Sequence, residues 1–256
     1  TPPLTFSSAA SDVYKRQQDI SGILSASRDI FVSTAAFTFG PARFRIRGYD
    51  ADQTSMYLNG VPVNSLENGW VSWSSWSGLN DVLRSRESSI GLAAMGYTFG
   101  GVGGGSNIDT RASSQWKQTR VSYAISNRSY RNRVMVTHST GMMDNGWAIA
   151  VSASRRWANE GYVAGTFYDA NSYFLSVDRK LGKNHLLNLT AFGAPNKRGK
   201  AGASVQEMYD IAGTNYYNSY WGYQNGEKRN SRVSNRHEPM VILRHDWKIN
   251  DKSTLM

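Results

Sequence analysis

The residues of this chain that could do chemistry are spaced for none of the familiar reactions. His138, His185, His237 and His245 lie far apart, and the close carboxylate neighbour among them is Glu238 beside His237; a zinc site needs three or four convergent ligands. Asp50 and Asp52 beside Gly48 read as a turn, because calcium takes roughly six to eight oxygen ligands. Cysteine is absent, which removes disulfides, thiolate metal sites and a cysteine nucleophile. The run Gly100 to Gly105 lacks the Lys-Ser/Thr that lets a glycine loop cradle phosphate. It reads instead as backbone passing close to its neighbours. No Ser-His-Asp set and no carboxylate pair in a defined setting stands out, so no catalytic residue, cofactor site or metal site is expected.

Binding chemistry is concentrated in one place. The stretch Pro195 to Glu238 carries Lys197, Arg198 and Lys200 near one end and Lys228, Arg229, Arg232 and Arg236 near the other. Tyr216, Tyr217, Tyr220, Trp221 and Tyr223 lie between. Cations interleaved with aromatics suit an anionic or sugar-bearing ligand, such as a ferric chelate or a glycan, and equally the phosphates of lipopolysaccharide. The whole chain carries a formal charge of +10. Its Lys and Arg are scattered rather than gathered in a stripe, which argues against nucleic acid as the partner.

The elements that must carry this stretch are strands. From Arg120 to Tyr130, Val121, Tyr123 and Ile125 alternate with Arg120, Ser122, Ala124 and Ser126, the period of a strand. Arg133 to Gly141 and Gly146 to Trp157 continue the pattern. Tyr173/Leu175/Val177, Leu187/Leu189/Ala191 and Val241/Leu243/Trp247 mark three more, giving about six strands, each near the ~10 residues that a tilted strand needs to cross a bilayer. The links at 144–146, 182–184 and 250–253 are tight, whereas 158–172 and 195–238 are long. Short and long links alternate in an outer-membrane barrel. Aromatics fall near strand ends (Tyr130, Trp147, Trp157, Tyr173, Trp247), as interfacial girdles require. A mean hydropathy of −0.49 is compatible with such a barrel, since its strands alternate lipid-facing and lumen-facing residues.

The first half has a different grammar. Asp19 to Ala26 suits a short helix, Arg43 to Arg47 (RFRIR) alternates as a strand, and Met56 to Leu58 reads as a strand ending in an Asn59-Gly60 turn, with Val61 and Val63 following around Pro62. Four stretches then resemble the plug domain of TonB-dependent receptors: Phe44 to Tyr49 (FRIRGY), Tyr57 to Asn64 (YLNGVPVN), Ser88 to Ala94 (SSIGLAA) and Phe99 to Arg111 (FGGVGGGSNIDTR). The family usually has Asp-Gly-Val-Pro where this chain has Asn59 to Pro62, and Arg84 to Ile90 departs from its usual Arg-Gly-Pro run. Both mark a divergent branch. The plug motif residues are Arg45, Arg47, Gly48, Asn59, Gly60, Pro62, Gly100, Gly101 and Gly104.

The resemblance implies an α+β plug domain over 18–112, followed over 119–256 by the first antiparallel transmembrane β-barrel strands of an incomplete barrel, with 1–17 a non-native leader. A complete barrel of about 22 strands would surround the plug. It further implies TonB-dependent uptake of a large ligand across the bacterial outer membrane, with Arg45 and Arg47 pairing with carboxylates on the barrel wall because a buried guanidinium is costly alone. The partners implied are the TonB energy-coupling complex, whose contact segment would precede residue 18, and outer-membrane lipid with lipopolysaccharide. The alternatives are a passive porin or adhesin of the same membrane, a soluble basic β-domain, and a soluble glycan hydrolase. Plug motifs and the small, polar second face of the strands argue against them.

Overall fold

The computed structural model describes residues 49–89, 91–99, 101–126, 130–251 and 253–256. The expected leader, the helix at 19–26, the strand at 43–47 and the motif residues Arg45, Arg47, Gly48 and Gly100 lie outside them. Within 49–114 the described helices are short 3-10 turns.

A small mixed sheet comes first. Strand β1 (Ser55–Leu58) turns at Asn59 and Gly60 into β2 (Val61–Pro62), and β3 (Arg86–Ser89) and β4 (Gly105–Ile108) complete the order β2-β1-β4-β3. β1 and β4 run parallel; the other pairs are antiparallel. The turn has φ of 50° at Asn59 and 83° at Gly60, the left-handed pair for which Asn-Gly is favoured. A Cβ on Gly60 would also stand 2.7 Å from the Tyr97 ring.

A larger antiparallel sheet follows in the order β15-β14-β9-β8-β7-β6-β5. Its members are β5 (Gln118–Ile125), β6 (Asn132–Ser139), β7 (Trp147–Ala158), β8 (Tyr168–Leu181), β9 (His185–Gly193), β14 (Met240–Asn250) and β15 (Ser253–Leu255). The expected strands are all there, although the one expected over 120–130 ends at Ile125. The sheet is open, with β5 and β15 at its edges.

One outcome differs from the sequence expectation. Residues 195–238 are not one irregular loop. After Pro195, β10 (Asn196–Gly199) continues β9, and β13 (Val233–Arg236) leads through Pro239 into β14. The register is the same on both sides of the break, with Phe192 opposite Met240 and Asn196 opposite Arg236. Proline has no N–H for the ladder, so each interrupts its strand without ending it. Between β10 and β13 stand a helix, α1 (Gln206–Ala212), and a hairpin, β11 (Trp221–Gln224) with β12 (Glu227–Asn230).

The larger sheet is inside out by the standard of a soluble domain. On its outward face Val121, Tyr123, Ile125, Val241 and Leu243 are 59–71% exposed. On its other face Arg133, Arg156, Ser176, Asp178 and Thr190 are fully buried. Alternation places the two sets on opposite sides of each strand. The small unit covers the polar face. Met56, Leu58, Trp76, Leu79, Val82 and Ile108 form one cluster with Ala148, Ala150, Phe174, Phe192 and Ile242 of the sheet.

Candidate functional site

The contact between the small unit and the polar face is built from charge and amide groups around that cluster. Asn59, 2% exposed, is its hub. Its Oδ1 accepts the Thr110 N–H at 2.7 Å, its Nδ2 donates to Thr190 Oγ1 of β9 at 3.3 Å, and its backbone carbonyl accepts Arg244 Nη1 of β14 at 2.9 Å. An aspartate here, as the family pattern has it, could not donate to Thr190.

Beside it stands a cluster that sequence reasoning did not single out. Arg111 Nη2 meets Asp109 at 2.6 Å and Arg111 Nη1 meets Asp246 of β14 at 2.7 Å; Arg244 Nε meets the other oxygen of Asp246 at 2.6 Å. All four side chains are at most 20% exposed. Burial pushes the Asp109 carboxyl up, but the Arg111 hydrogen bond and charge outweigh it and hold its pKa below the ordinary value, while Asp109 raises that of Arg111. Asp178 of β8 accepts the Ser113 N–H at 2.8 Å. The signal was present in outline: Arg244 and Asp246 fall on the opposite face from Val241, Leu243 and Trp247. The carboxylate pairs expected of Arg45 and Arg47 lie outside the described residues; the pair seen here is Arg111 with Asp246.

A second contact joins the outer end of the sheet to the segment Ser72 to Ser77. Glu238 Oε2 accepts the hydroxyls of Ser72 (2.9 Å) and Ser75, and Arg236 Nη1 donates to Ser72 and Ser74. The Ser75 hydrogen bond is the largest cause of a lowered Glu238 pKa; burial opposes it, and Ser72 and Arg236 add to it. A depressed carboxyl stabilises the folded contact above its unfolded pKa and loses that contribution as pH falls through the folded one. Hydrogen-exchange protection over 72–76, taken relative to the intrinsic rate at each pH, is therefore expected to fall when pH drops below the ordinary carboxylate range, and Glu238→Gln to abolish that dependence.

Among the remaining motif residues, Pro62 pairs with Tyr57 at the small sheet's edge and its strand is exposed. A Cβ on Gly101 would meet the Gln53 carbonyl at 2.9 Å, and Gly104 has φ of +91° and its carbonyl accepts the Ser55 N–H at 3.1 Å. The cation-aromatic stretch is only partly convergent. Tyr220, Trp221, Tyr223 and Arg229 line a shallow open concavity, Lys228 Nζ stands 4.3 Å from the Trp221 ring and is paired with Glu160, and Arg232 lies 5.8 Å from the Tyr220 ring. Tyr216 packs edge-on against Tyr162 at 6.0 Å, away from that group. Lys197 and Arg198 stand exposed on β10, Lys200 follows them, and Tyr217 is half-buried. Among the described residues no group of three or more His, Asp or Glu could hold a metal.

No protein-family model matches the sequence, and no curated protein matches it. Solved structures do. The siderophore receptor PiuA from Acinetobacter baumannii matches over 80% of this chain and 28% of its own, at 18% identity and a TM-score of 0.51. The ferric citrate transporter FecA in its unliganded form matches over 80% and 30%, at 12% identity and 0.52. The FpvAI–pyocin S2 complex matches over 78% and 26%, at 12% identity and 0.51. At such identities the likeness is one of fold: a small mixed sheet with an open antiparallel sheet, spanning under a third of each of those chains, which is part of the fold of the TonB-dependent receptors.

Proposed function

We propose that this chain is the plug (18–112) and the opening wall strands (119–256) of an outer-membrane receptor that imports a large extracellular ligand, with the plug gating the lumen and TonB supplying the work. One observation carries the reading: the sheet buries its polar face under the small unit and turns its apolar face outward, an arrangement that water penalises and a bilayer rewards. The Asn59 hub and the Arg111–Asp246 pair suit a plug that must be held in a lumen and yet be movable, because charge pairs of this kind are replaceable by water when the plug shifts. The outward concavity at Tyr220, Trp221 and Arg229 suits capture of an anionic or glycan-bearing ligand, or contact with lipopolysaccharide phosphates. A passive porin has no use for an inserted unit bonded to its wall.

The test is made on the full-length gene product. Outer-membrane, inner-membrane and soluble fractions are separated, and the outer-membrane band is run with and without boiling. Heat-modifiable migration in the outer-membrane fraction is the expected result. A soluble product would overturn the reading.

A further inference from the structure

We propose that the outward face of the large sheet carries, at its short-turn rim, a binding site for the phosphodiester headgroup of an anionic phospholipid; the proposal rests on the barrel reading. Four adjacent strands bring Trp147, Arg179, Leu187 and His245 into one cross-strand row. The next row towards the turns holds Leu181, His185 and Trp247. One step the other way the row is Ile149, Val177, Leu189 and Leu243. Polarity on this face thus changes from wholly apolar to cationic and aromatic within one pleat repeat, about 7 Å. That is the height at which acyl chains give way to headgroups.

The groups at the rim are already oriented. Arg179 Nη1 donates to the Asn145 carbonyl at 2.7 Å, and its guanidinium lies 4.7 Å from the Trp147 ring centroid. That single tie leaves most of the fork for a bidentate anion. His185 Nδ1 and His245 Nε2 are hydrogen-bonded at 3.1 Å, and the His185 and Trp247 rings lie 5.7 Å apart at 19°. The ring geometry of the histidine pair is edge to edge: its centroids are 5.2 Å apart with 9° between planes. In either tautomer such a pair leaves one outer ring nitrogen carrying an N–H that can donate. Arg179 and His245 flank Leu187 from the strands on either side, about 10 Å apart. The guanidinium points toward Trp147, away from Leu187, so a phosphate above Leu187 is met by Arg179 once its side chain swings off that ring.

Charge at the rim favours an anion. Arg179, Lys180 and Lys183 stand there against Asp144, while Asp251 is taken up by Lys248 at 2.6 Å. Anionic headgroups are drawn to such juxtamembrane cations, and aromatic rings sit at headgroup level beside them. The apolar rows above Leu187 would hold the acyl chains of the same lipid.

The experiment uses the purified full-length receptor and native mass spectrometry from micelles containing phosphatidylglycerol and phosphatidylcholine in equal amounts. Preferential retention of phosphatidylglycerol is expected, falling at least tenfold in the double variant Arg179→Gln/His245→Gln, since even one charge-assisted hydrogen bond is worth about a factor of ten. Arg179→Lys, which keeps the charge and loses the fork, should fall between. Equal retention of the two lipids by the unaltered receptor would overturn the proposal, as would unchanged preference in the double variant. Heat-modifiable migration is read on every sample. Its absence from the unaltered receptor would fail the barrel reading itself, and its absence from the double variant alone would pass the decision to Arg179→Lys and His185→Gln, where unchanged preference counts against the site.

Discussion

Leu175→Arg, on the outward face of β8, is expected to cost about 2–4 kcal/mol of stability for the full-length receptor in a bilayer, the penalty for a cationic side chain near the midplane on a barrel's lipid side. Leu175 lies in the row Val151, Leu175, Ala191, Val241, near the centre of the apolar band. In water the same change should be nearly silent. Leu175 is 40% exposed, and surface substitutions of that kind fall within about 0.5 kcal/mol. Ile211→Arg on α1 supplies the control: Ile211 is 75% exposed and lies outside the sheet, so it is expected to be neutral. Reversible denaturant unfolding in lipid vesicles, followed by tryptophan fluorescence, measures both. A neutral Leu175→Arg would remove the membrane reading of the outward face, however the rest of the receptor behaves.

Arg111→Met is expected to loosen the plug from its wall by about 2–4 kcal/mol, since it leaves Asp109 and Asp246 facing each other's neighbourhood without the cation that joins them. The cost comes from Asp109, left without its cation, more than from the lost attraction, since Asp246 keeps Arg244 at 2.6 Å. Adding Asp246→Asn to Arg111→Met should therefore cost less than Asp246→Asn does alone, because the contact with Arg111 is already gone and Arg244 retains Asn59 and Tyr97 as partners. The double-mutant cycle isolates the coupling between the two side chains. Protease susceptibility of residues 49–114 in the folded receptor, against denaturant, gives the free energies. Additive single and double changes would mean that the 2.7 Å contact does not hold the plug.

Several elements were legible in the sequence because their signal is local. Period-two alternation fixed the strands β5 to β9 and β14, since a strand's two faces are set by the pleat whatever it packs against. The Asn59-Gly60 turn followed from which residues tolerate positive φ. What alternation cannot tell is which face is inside. Val121, Tyr123 and Ile125 would form the core of a soluble sandwich with the same sequence pattern; only packing against the small unit turns them outward and buries Arg133 and Arg156 instead.

The long stretch 195–238 misled for a related reason. Charged and aromatic residues with interspersed glycines, flanked by Pro195 and Pro239, carry no strand period, yet β10 and β13 pair in unbroken register because β8, β9 and β14 already hold the template from which they extend. The pairing of Arg111 with Asp246 is invisible to spacing, as the two lie more than a hundred residues apart. By itself, then, the sequence determined local geometry, the absence of cysteine chemistry and the resemblance carried by the plug motifs. The tertiary structure alone decided which face is lipid-like, which arginine meets which carboxylate, and which aromatics converge, because these depend on the burial and long-range contacts that only the assembled sheets create.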